Sequence, residues 1–301
     1  MARVAVVVST YNRAGYLREL VKCLEAQTFR DFEAVIVDNA STDDTPTTGL
    51  ATLRLDANRG PGGGRNAGVA VTDAEIIVFT DDDCLPTPTW LEHLVPVFDD
   101  PDVVVVQGRV DPDPATRNQM GPFDHTISVH GPSPFFETAN VAYRRTAFDA
   151  VGGFHERTGR AFGEDALLGA AVLARGGRRA YVDVAVVYHR CVSRTFEQHL
   201  ADERQLRLFA GLPGLKSGFL NRTTALFDLG VVGVIGALAL RRAWPLVLAL
   251  PWLNRRLRAT RGYTGNDVSR IPRILAKYAV SDAVAFASLA EGAIKHRRFL
   301  L

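Results

Sequence analysis

The sequence, 301 residues long, has few cysteines and lacks the glycine motifs that mark two common classes of nucleotide-binding protein. Its 3 cysteines (Cys23, Cys84 and Cys191) lie far apart, which excludes a disulfide framework and fits a reducing cytosol. No Gly-x-Gly-x-x-Gly follows the first predicted strand, and no Gly-Lys-Ser/Thr ends the glycine run at residues 60–64. These absences argue against a dinucleotide-dependent oxidoreductase and a P-loop NTPase.

Long apolar segments are also missing. The chain starts directly with a predicted strand, so we expect no signal peptide. Its uncharged runs at residues 229–240 and 243–253 are both shorter than the roughly 20 apolar residues of a spanning helix. We therefore expect no transmembrane helix built from either run alone.

Charge is nearly balanced, with 35 Lys and Arg against 33 Asp and Glu, but it is unevenly distributed. Residues 211–301 hold 14 basic and 4 acidic residues, a net charge of +10, whereas residues 1–210 carry −8. A basic segment favours nucleic acid or an anionic membrane surface. Because this segment also contains the apolar runs, we expect a membrane surface and no nucleic acid. The same division predicts domains at residues 1–210 and 211–301.

Strands, polar loops and helices alternate along the first predicted domain. Apolar, β-prone runs predict buried strands at residues 3–8, 34–37, 53–55, 75–79, 103–106 and 181–187. Apolar residues at helical spacing predict a helix after the first strand. This alternation predicts an α/β fold with a mainly parallel sheet flanked by helices, whose loops meet along one edge.

Three carboxylates, Asp81, Asp82 and Asp83, follow the fourth predicted strand, and Pro86 and Pro88 block its continuation. Adjacent carboxylates repel one another, and a divalent cation removes that penalty. Ligands of open α/β sheets also bind at this end of the strands. A solvated acidic turn is the alternative for such a triplet taken alone, but the strand before it favours a metal site.

Other loops at this edge offer groups for a nucleotide. Asp38 ends the second predicted strand, where it can accept hydrogen bonds from a base. The glycines at residues 62–64 would let the backbone approach a diphosphate, with Arg65 beside it. Residues 111–136 show no periodicity, and we expect a long irregular loop there that is functional or mobile.

Together these loops carry an ordered set of motifs that resembles the inverting glycosyltransferases of family 2, which have the GT-A fold and include bacterial enzymes of cell-wall and polysaccharide synthesis. The resemblance covers residues 4–190. Its motifs are Val8-Ser9-Thr10-Tyr11-Asn12-Arg13, Val37-Asp38-Asn39-Ala40-Ser41-Thr42-Asp43, Asn58-Arg59-Gly60 with Gly64-Arg65-Asn66-Ala67-Gly68, Asp81-Asp82-Asp83, Ala139-Asn140-Val141-Ala142-Tyr143-Arg144-Arg145, Gly152-Gly153-Phe154 and Gly163-Glu164-Asp165.

The resemblance implies which residues bind a nucleotide-diphospho-sugar. Asp38 is implied at the base, Arg65 at the diphosphate and Asp81 near the ribose. Within the acidic motif, Asp83 is implied to hold Mn²⁺ or Mg²⁺, and the middle residue, Asp82, to point away. The remaining residues implied at the donor are Thr10, Tyr11, Arg13 and Asn140.

The catalytic base is also implied by the resemblance. Glu164 and Asp165 open a predicted amphipathic helix that ends near Gly176 and Gly177, where carboxylates complement the helix dipole. In the resembling family the Asp takes the proton from the acceptor hydroxyl. Asp165 is therefore the expected general base, and Glu164 contacts the acceptor or orients the site. His189, after a later strand, is either a metal ligand or a structural residue.

The basic segment allows three interpretations of its apolar runs: buried core helices, a re-entrant hairpin, or an interfacial segment that faces lipid. Arginines directly after the second run favour the last interpretation. Residues 282–301 predict one amphipathic helix. We expect a cytoplasmic protein bound peripherally to the inner face of the cell membrane. The sequence does not predict its oligomeric state.

The resulting prediction is a metal-dependent transferase. It moves a sugar, with inversion, from a nucleotide-diphospho-sugar to a hydroxyl of a lipid-linked or polysaccharide acceptor. A nucleotidyltransferase would also need carboxylates and a metal, but it would favour a glycine-rich loop at the first strand. An inactive nucleotide-sugar-binding module at the membrane is the other alternative, and the presence of Asp165 argues against it.

Overall fold

The computed structural model describes residues 2–156, 163–205, 222–264 and 267–296. They form two compact units. The first comprises Met1–Asn118 and Thr126–Cys191, and the second comprises Gln119–His125 and Val192–Leu301. The predicted domain boundary at residues 210 and 211 lies outside the described residues.

An eight-stranded sheet forms the centre of the first unit. Its strands are β1 (Val4–Thr10), β2 (Phe32–Asp38), β3 (Leu53–Arg54), β4 (Ile76–Phe79), β5 (Cys84–Pro86), β6 (Val103–Pro112), β7 (Val141–Arg144) and β8 (Arg178–His189). Their order across the sheet is β3-β2-β1-β4-β7-β6-β8-β5. All six predicted strands are present, whereas β5 and β7 were not predicted.

The half of the sheet formed by β3, β2, β1 and β4 is parallel, as predicted. The other half is mixed, because β7 runs antiparallel to β4 and β6, and β5 runs antiparallel to β8. Phe79 at the end of β4 pairs with Val141 at the start of β7. The antiparallel direction of β7 therefore brings the residues before it to the edge where β4 ends.

The centre of the sheet is buried on both faces, as expected for strands without polar alternation. Val4–Val8 of β1 are fully buried, and Ile76–Phe79 of β4 are at most 1% exposed. On one face the strands pack against α1 (Ala14–Glu25) and α3 (Trp90–Leu94). On the other they pack against α2, α4 and α5 (Gly60–Val69, Arg145–Asp149 and Glu164–Ala174).

The glycine run predicted to cradle a diphosphate lies instead within α2, and this corrects the sequence analysis. A Cβ at Gly64 would lie 2.1 Å from Ser9 Oγ. At Gly68 it would lie 2.6 Å from Val7 Cγ1 and 3.0 Å from Val37 Cγ2. These glycines let α2 pack directly on β1 and β2, which positions Arg65 of the same helix.

Gly68→Ala should therefore destabilise the first unit despite the higher helix propensity of alanine. Overpacking costs about 1–3 kcal/mol, which equals or exceeds the roughly 1 kcal/mol that alanine gains over glycine in a helix. Gly15→Ala in α1 is the matched control, because its new Cβ would have no heavy atom within 4 Å apart from its chain neighbours and the backbone of its own helix. Thermal unfolding should show a lower melting temperature for Gly68→Ala and an unchanged or higher one for Gly15→Ala. Equal melting temperatures would contradict the packing role.

Helices build the second unit. Among the described residues they are α6 (Phe196–Glu203), α7 (Arg222–Leu240), α8 (Leu250–Thr264) and α9 (Ile271–His296), with 3₁₀ helices at Trp244–Ala249 and Val268–Arg270. The first apolar run lies in α7, and the second is divided between the first of these 3₁₀ helices and α8. The helix predicted to begin at Asp282 begins eleven residues earlier at Ile271, because Pro272 suits the first helical turn.

No helix in the described part of the chain combines the length and apolar character that crossing a membrane requires.

Candidate active site

The polar loops after β1, β2 and β4 meet at one edge of the sheet. Thr10 and Asp38 are register partners at the ends of β1 and β2. Thr80, buried after β4, donates its hydroxyl to the carbonyl of Ala139 at 3.0 Å. This bond fixes the acidic stretch against the 3₁₀ helix Thr138–Asn140.

Asp81, Asp83, Cys84 and His189 form a compact group in which one ligand atom from each residue lies within 4.8 Å of the others. Nε2 of His189 is 3.5 Å from Oδ1 of Asp83. Across the sheet, His189 pairs with Cys84, so β5 and β8 determine this geometry. Two carboxylates and an imidazole are donors that Mn²⁺ accepts, and the side chains therefore fit a divalent cation.

The imidazole of His189 is oriented by the main chain. Its Nδ1 lies 2.8 Å from the carbonyl oxygen of Arg190 and 3.4 Å from both the hydroxyl of Thr126 and the backbone nitrogen of Ile127. The carbonyl is the nearest partner, and it accepts a hydrogen bond when the proton is on Nδ1. The lone pair then lies on Nε2, which faces Asp83. A histidine that donates from one nitrogen and ligates through the other is usual at metal sites. This geometry supports the ligand interpretation, which stays a prediction.

Cys84 is the member of this group that the sequence analysis missed. Burial raises the pKa of its thiol well above the usual range, and the charges of Asp81 and Asp83 raise it further. Because the thiolate and not the thiol binds metals, Asp81, Asp83 and His189 are the better ligands. Its place directly after the acidic motif was the signal in the sequence.

Asp82 is outside the metal group, but it has partners of its own. Its Oδ2 accepts a hydrogen bond from Thr10 Oγ1 at 2.7 Å, and its Oδ1 accepts one from Arg13 Nη1 at 2.8 Å. The same Arg13 nitrogen is 2.7 Å from Asp83 Oδ2. Burial raises the pKa of Asp82 to about 6, a shift that Arg13 opposes and Asp83 reinforces. Asp82 thus joins the first loop to the acidic motif.

Arg65 is only 6% exposed and lies between acidic side chains. Its Nη2 is 2.6 Å from Asp81 Oδ1, and its Nη1 is 3.4 Å from Glu164 Oε1. Burial alone would lower the pKa of Arg65, but Asp81, Asp165 and Glu164 outweigh burial and raise it. Its Nε is buried and makes no hydrogen bond to any described residue. Arg65 is therefore a permanent cation at this edge.

Asp165 lies in the first turn of α5, one residue after Glu164. Its Oδ2 accepts hydrogen bonds from the backbone N–H of Thr138 at 3.1 Å and from the hydroxyl of Thr138 at 3.3 Å. That hydroxyl is also 3.3 Å from Asp81 Oδ1. Burial raises the pKa of Asp165 well above its usual range, and Glu164 and Asp81 add to the shift while Arg65 opposes it. Thr138, which the sequence analysis did not select, connects the two ends of the site.

Two predicted donor residues lie at the same edge in different environments. Asp38 is fully buried: its Oδ1 accepts from the backbone N–H of Ser41 at 2.9 Å, and its Oδ2 pairs with Arg54. Tyr11 is 44% exposed on the loop after β1. The contacts of Asp38 and Tyr11 do not show that either residue binds a nucleobase, so their roles stay predictions.

Asn140 does not join the other predicted residues. Its amide donates to the carbonyls of Arg109 and Ala185, both at 2.8 Å, and accepts from Trp90 Nε1 at 2.8 Å. The side chain is 2% exposed, with its hydrogen-bonding groups used inside the unit. The predicted role of Asn140 in binding the donor therefore has no support in this geometry.

Comparison with known proteins gives a family match and several relatives. The model of the family described as "Glycosyl transferase family 2" matches residues 5–156. An uncharacterised glycosyltransferase of Nostoc sp. is 33% identical over 170 residues, which are 50% of this chain and 53% of that protein. The O-antigen chain rhamnosyltransferase RfbN of Salmonella typhimurium is 26% identical over 210 residues, covering 62% of this chain and 66% of that protein. The matched segments thus span about half to two thirds of these relatives.

A solved structure is similar over nearly the whole chain. It is the mannosyltransferase PcManGT from Pyrobaculum calidifontis in complex with GDP-Man and Mn²⁺, with a TM-score of 0.56 and 22% identity. The similarity covers 98% of this chain and 87% of that one. At this identity it establishes the fold, which confirms the predicted GT-A architecture.

The contacts of the acidic motif predict different effects for its neighbouring carboxylates. Changing a residue that only supports a metal ligand typically weakens metal binding about 10- to 100-fold. Since Asp83 is a proposed ligand itself, Asp83→Asn should weaken Mn²⁺ binding by more than about tenfold. Asp82→Asn should leave Mn²⁺ binding nearly intact but disturb Thr10 and Arg13. Mn²⁺ binding is measured by electron paramagnetic resonance, with Asp149→Asn, an exposed carboxylate on α4, as control. Equal losses in the Asp82 and Asp83 variants would show that the metal ligands are wrongly assigned.

Proposed function

Because the chain belongs to glycosyl transferase family 2, we propose that it transfers a sugar from a nucleotide-diphospho-sugar to a hydroxyl group, with inversion at the anomeric carbon. The observation that carries this proposal is the position of Thr138. Its hydroxyl lies 3.3 Å from both Asp165 and Asp81. A carboxylate suited to proton abstraction therefore lies beside the group of acidic residues suited to a cation. The family match also argues against the nucleotidyltransferase alternative.

Asp165 is the proposed general base. Its Oδ2 accepts two hydrogen bonds from Thr138, and these fix the position of the carboxylate. In the proposed step it takes the proton of the acceptor hydroxyl while the acceptor oxygen attacks the anomeric carbon. The new bond forms on the side opposite the departing diphosphate, which inverts the configuration. A raised pKa makes Asp165 a stronger base than an ordinary carboxylate.

The leaving diphosphate requires positive charge. Arg65 is buried among Asp81, Glu164 and Asp165, and Arg13 lies against Asp82 and Asp83. A divalent cation held by Asp81, Asp83 and His189 would supply Lewis-acid stabilisation of the diphosphate oxygens. Fixed charges aimed at the developing negative charge usually lower the barrier of such reactions more than any other single effect.

The donor and the acceptor are proposed by class. The PcManGT complex contains GDP-Man and Mn²⁺, and this supports a nucleotide-diphospho-sugar donor with Mn²⁺ or Mg²⁺ as the cation. The rhamnosyltransferase RfbN is named for the O-antigen chain, which supports a lipid-linked or polysaccharide acceptor. Thr10, Tyr11 and Asp38 are the proposed nucleotide-binding residues, since they lie at the edge beside the acidic motif.

Asp165→Asn tests the base. The amide keeps the shape of the side chain but cannot take a proton, so transfer should fall by about 10²–10⁴. Donor affinity, measured by isothermal titration calorimetry, should remain nearly unchanged because the proposed role of Asp165 is toward the acceptor. Asp149→Asn is the matched control and should retain transfer. Ordinary turnover by the Asp165 variant would exclude it as the base.

The same substitution predicts a pH-dependent change in stability. The folded-state pKa of Asp165 is raised, so its ionisation disfavours the fold at every pH above the ordinary carboxyl pKa of about 3.9. Asp165→Asn should therefore raise the melting temperature at pH 7.5, and the gain should disappear as the pH falls towards 4. A lower melting temperature at pH 7.5 would indicate that Asp165 acts mainly in packing.

A further inference from the structure

The second unit contains a tightly packed hairpin, none of whose residues belongs to the candidate active site. It consists of α7 and the 3₁₀ helix Trp244–Ala249. Glycines of α7 lie at the contact: a Cβ at Gly233 would lie 2.5 Å from the carbonyl oxygen of Pro245, and one at Gly230 would lie 3.5 Å from Ala249. The small residues are therefore inside the hairpin, where they let its two arms approach closely.

Large apolar side chains of this hairpin face outwards. In α7, Leu238 is 76% exposed and Ile235 is 61% exposed, and in the second arm Trp244 is 67% exposed. We call the large apolar residues of the two arms that are more than half exposed the outer face: Val232, Ile235, Leu238, Leu240, Trp244 and Val247. A helix that is apolar all round is typical of a buried or membrane environment. So many large apolar side chains left exposed on one short hairpin mark an interaction site.

In the sequence between Asp228 and Asp267 the charged residues are of one sign, although one of them, Arg256, is paired with Asp282. No Asp or Glu occurs between Asp228 and Asp267, whereas six arginines do: Arg241, Arg242, Arg255, Arg256, Arg258 and Arg261. Arg241 and Arg242 lie at the turn between the two arms, and both are exposed. Two copies of this surface would bring like charges together, which disfavours self-association. An anionic partner with an apolar interior suits both features.

The base of the hairpin is anchored within the unit. Phe227 of α7 packs edge-on against Trp252 of α8, with ring centroids 5.9 Å apart. Trp252 donates its Nε1 proton to Asp282 Oδ2 at 2.7 Å, and Arg256 pairs with the same carboxylate. Asp282 is 6% exposed. The hairpin is thus held in place at its base while its apolar side chains remain uncovered.

We propose that this hairpin inserts into one leaflet of an anionic bilayer without crossing it. The outer face lies among the acyl chains, and Arg241 and Arg242 bind lipid phosphates at the interface. The inner leaflet of the cell membrane, which is rich in anionic lipid, is the surface that fits. This site is independent of the proposed transfer chemistry, so each can fail without the other.

Trp244 provides a direct test in the unaltered 301-residue chain. The chain has 3 tryptophans, of which Trp90 is fully buried and Trp252 is bonded to Asp282. Trp244, the exposed one, should shift its emission to the blue when vesicles of phosphatidylcholine and phosphatidylglycerol are added. Lipids brominated on their acyl chains should quench it. Trp244→Phe should abolish the blue shift while vesicle co-sedimentation persists.

Two sets of variants separate the apolar and electrostatic contributions. Ile235→Glu with Leu238→Glu should abolish co-sedimentation, whereas Val71→Glu with Val184→Glu, exposed valines of the first unit, should not. Arg241→Gln with Arg242→Gln should weaken binding roughly 30-fold at low salt, since each arginine near an anionic surface contributes about 1 kcal/mol. Arg18→Gln with Lys22→Gln on α1 is the charge-matched control. High salt should weaken the binding of the native protein without abolishing it.

Three outcomes would overturn the proposal. One is the absence of a blue shift and of co-sedimentation with anionic vesicles. Another is vesicle binding that the Ile235 and Leu238 substitutions leave unchanged. The third is a dimer in light scattering that the same substitutions dissolve, together with no vesicle binding, which would assign the outer face to a second copy of the chain.

Discussion

The candidate active site depends on five carboxylates that lie close together at one edge of the central sheet. Two arginines are paired with them: Arg13 bridges two of the carboxylates, and Arg65 contacts two others. Burial makes this arrangement costly, because charges removed from water must be neutralised by partners. The remaining negative charge is what a divalent cation and a diphosphate bound together would balance. The five carboxylates are Asp81, Asp82, Asp83, Glu164 and Asp165.

The fold holds these charges in position through short connections to its core. Glycines of α2 bring that helix onto β1 and β2, and Arg65 on the helix thereby reaches the edge. The antiparallel strand β7 brings Thr138 beside Asp81 and Asp165. His189 is fixed by the pairing of β8 with β5 and by its bond to the carbonyl of Arg190. Each of these groups therefore rests on a rigid element, whereas Tyr11 lies on an exposed loop.

Local sequence patterns correctly predicted the features that are determined by residues close together in the chain. Apolar runs located the parallel strands, and the acidic motif marked the edge of the sheet where the candidate site lies. The sequence alone did not reveal contacts between distant segments, such as the bond between Thr138 and Asp165 or the pairing of Cys84 with His189. The glycines of α2 were misinterpreted because close helix packing and a diphosphate loop need the same small residue. The motif of Asn140 likewise does not show that its amide is hydrogen-bonded to Trp90, Arg109 and Ala185, three residues distant in the chain.

The coupling between cation and nucleotide is the property that tests the proposed site most directly. Isothermal titration calorimetry would measure the affinity of the native protein for GDP and UDP with and without Mn²⁺. We expect Mn²⁺ to raise the affinity for at least one of them by about tenfold or more, a coupling of about 1.4 kcal/mol, because each neutralises charge that the other needs. If Mn²⁺ changed the affinity for neither GDP nor UDP, the result would contradict a shared site for the cation and the diphosphate.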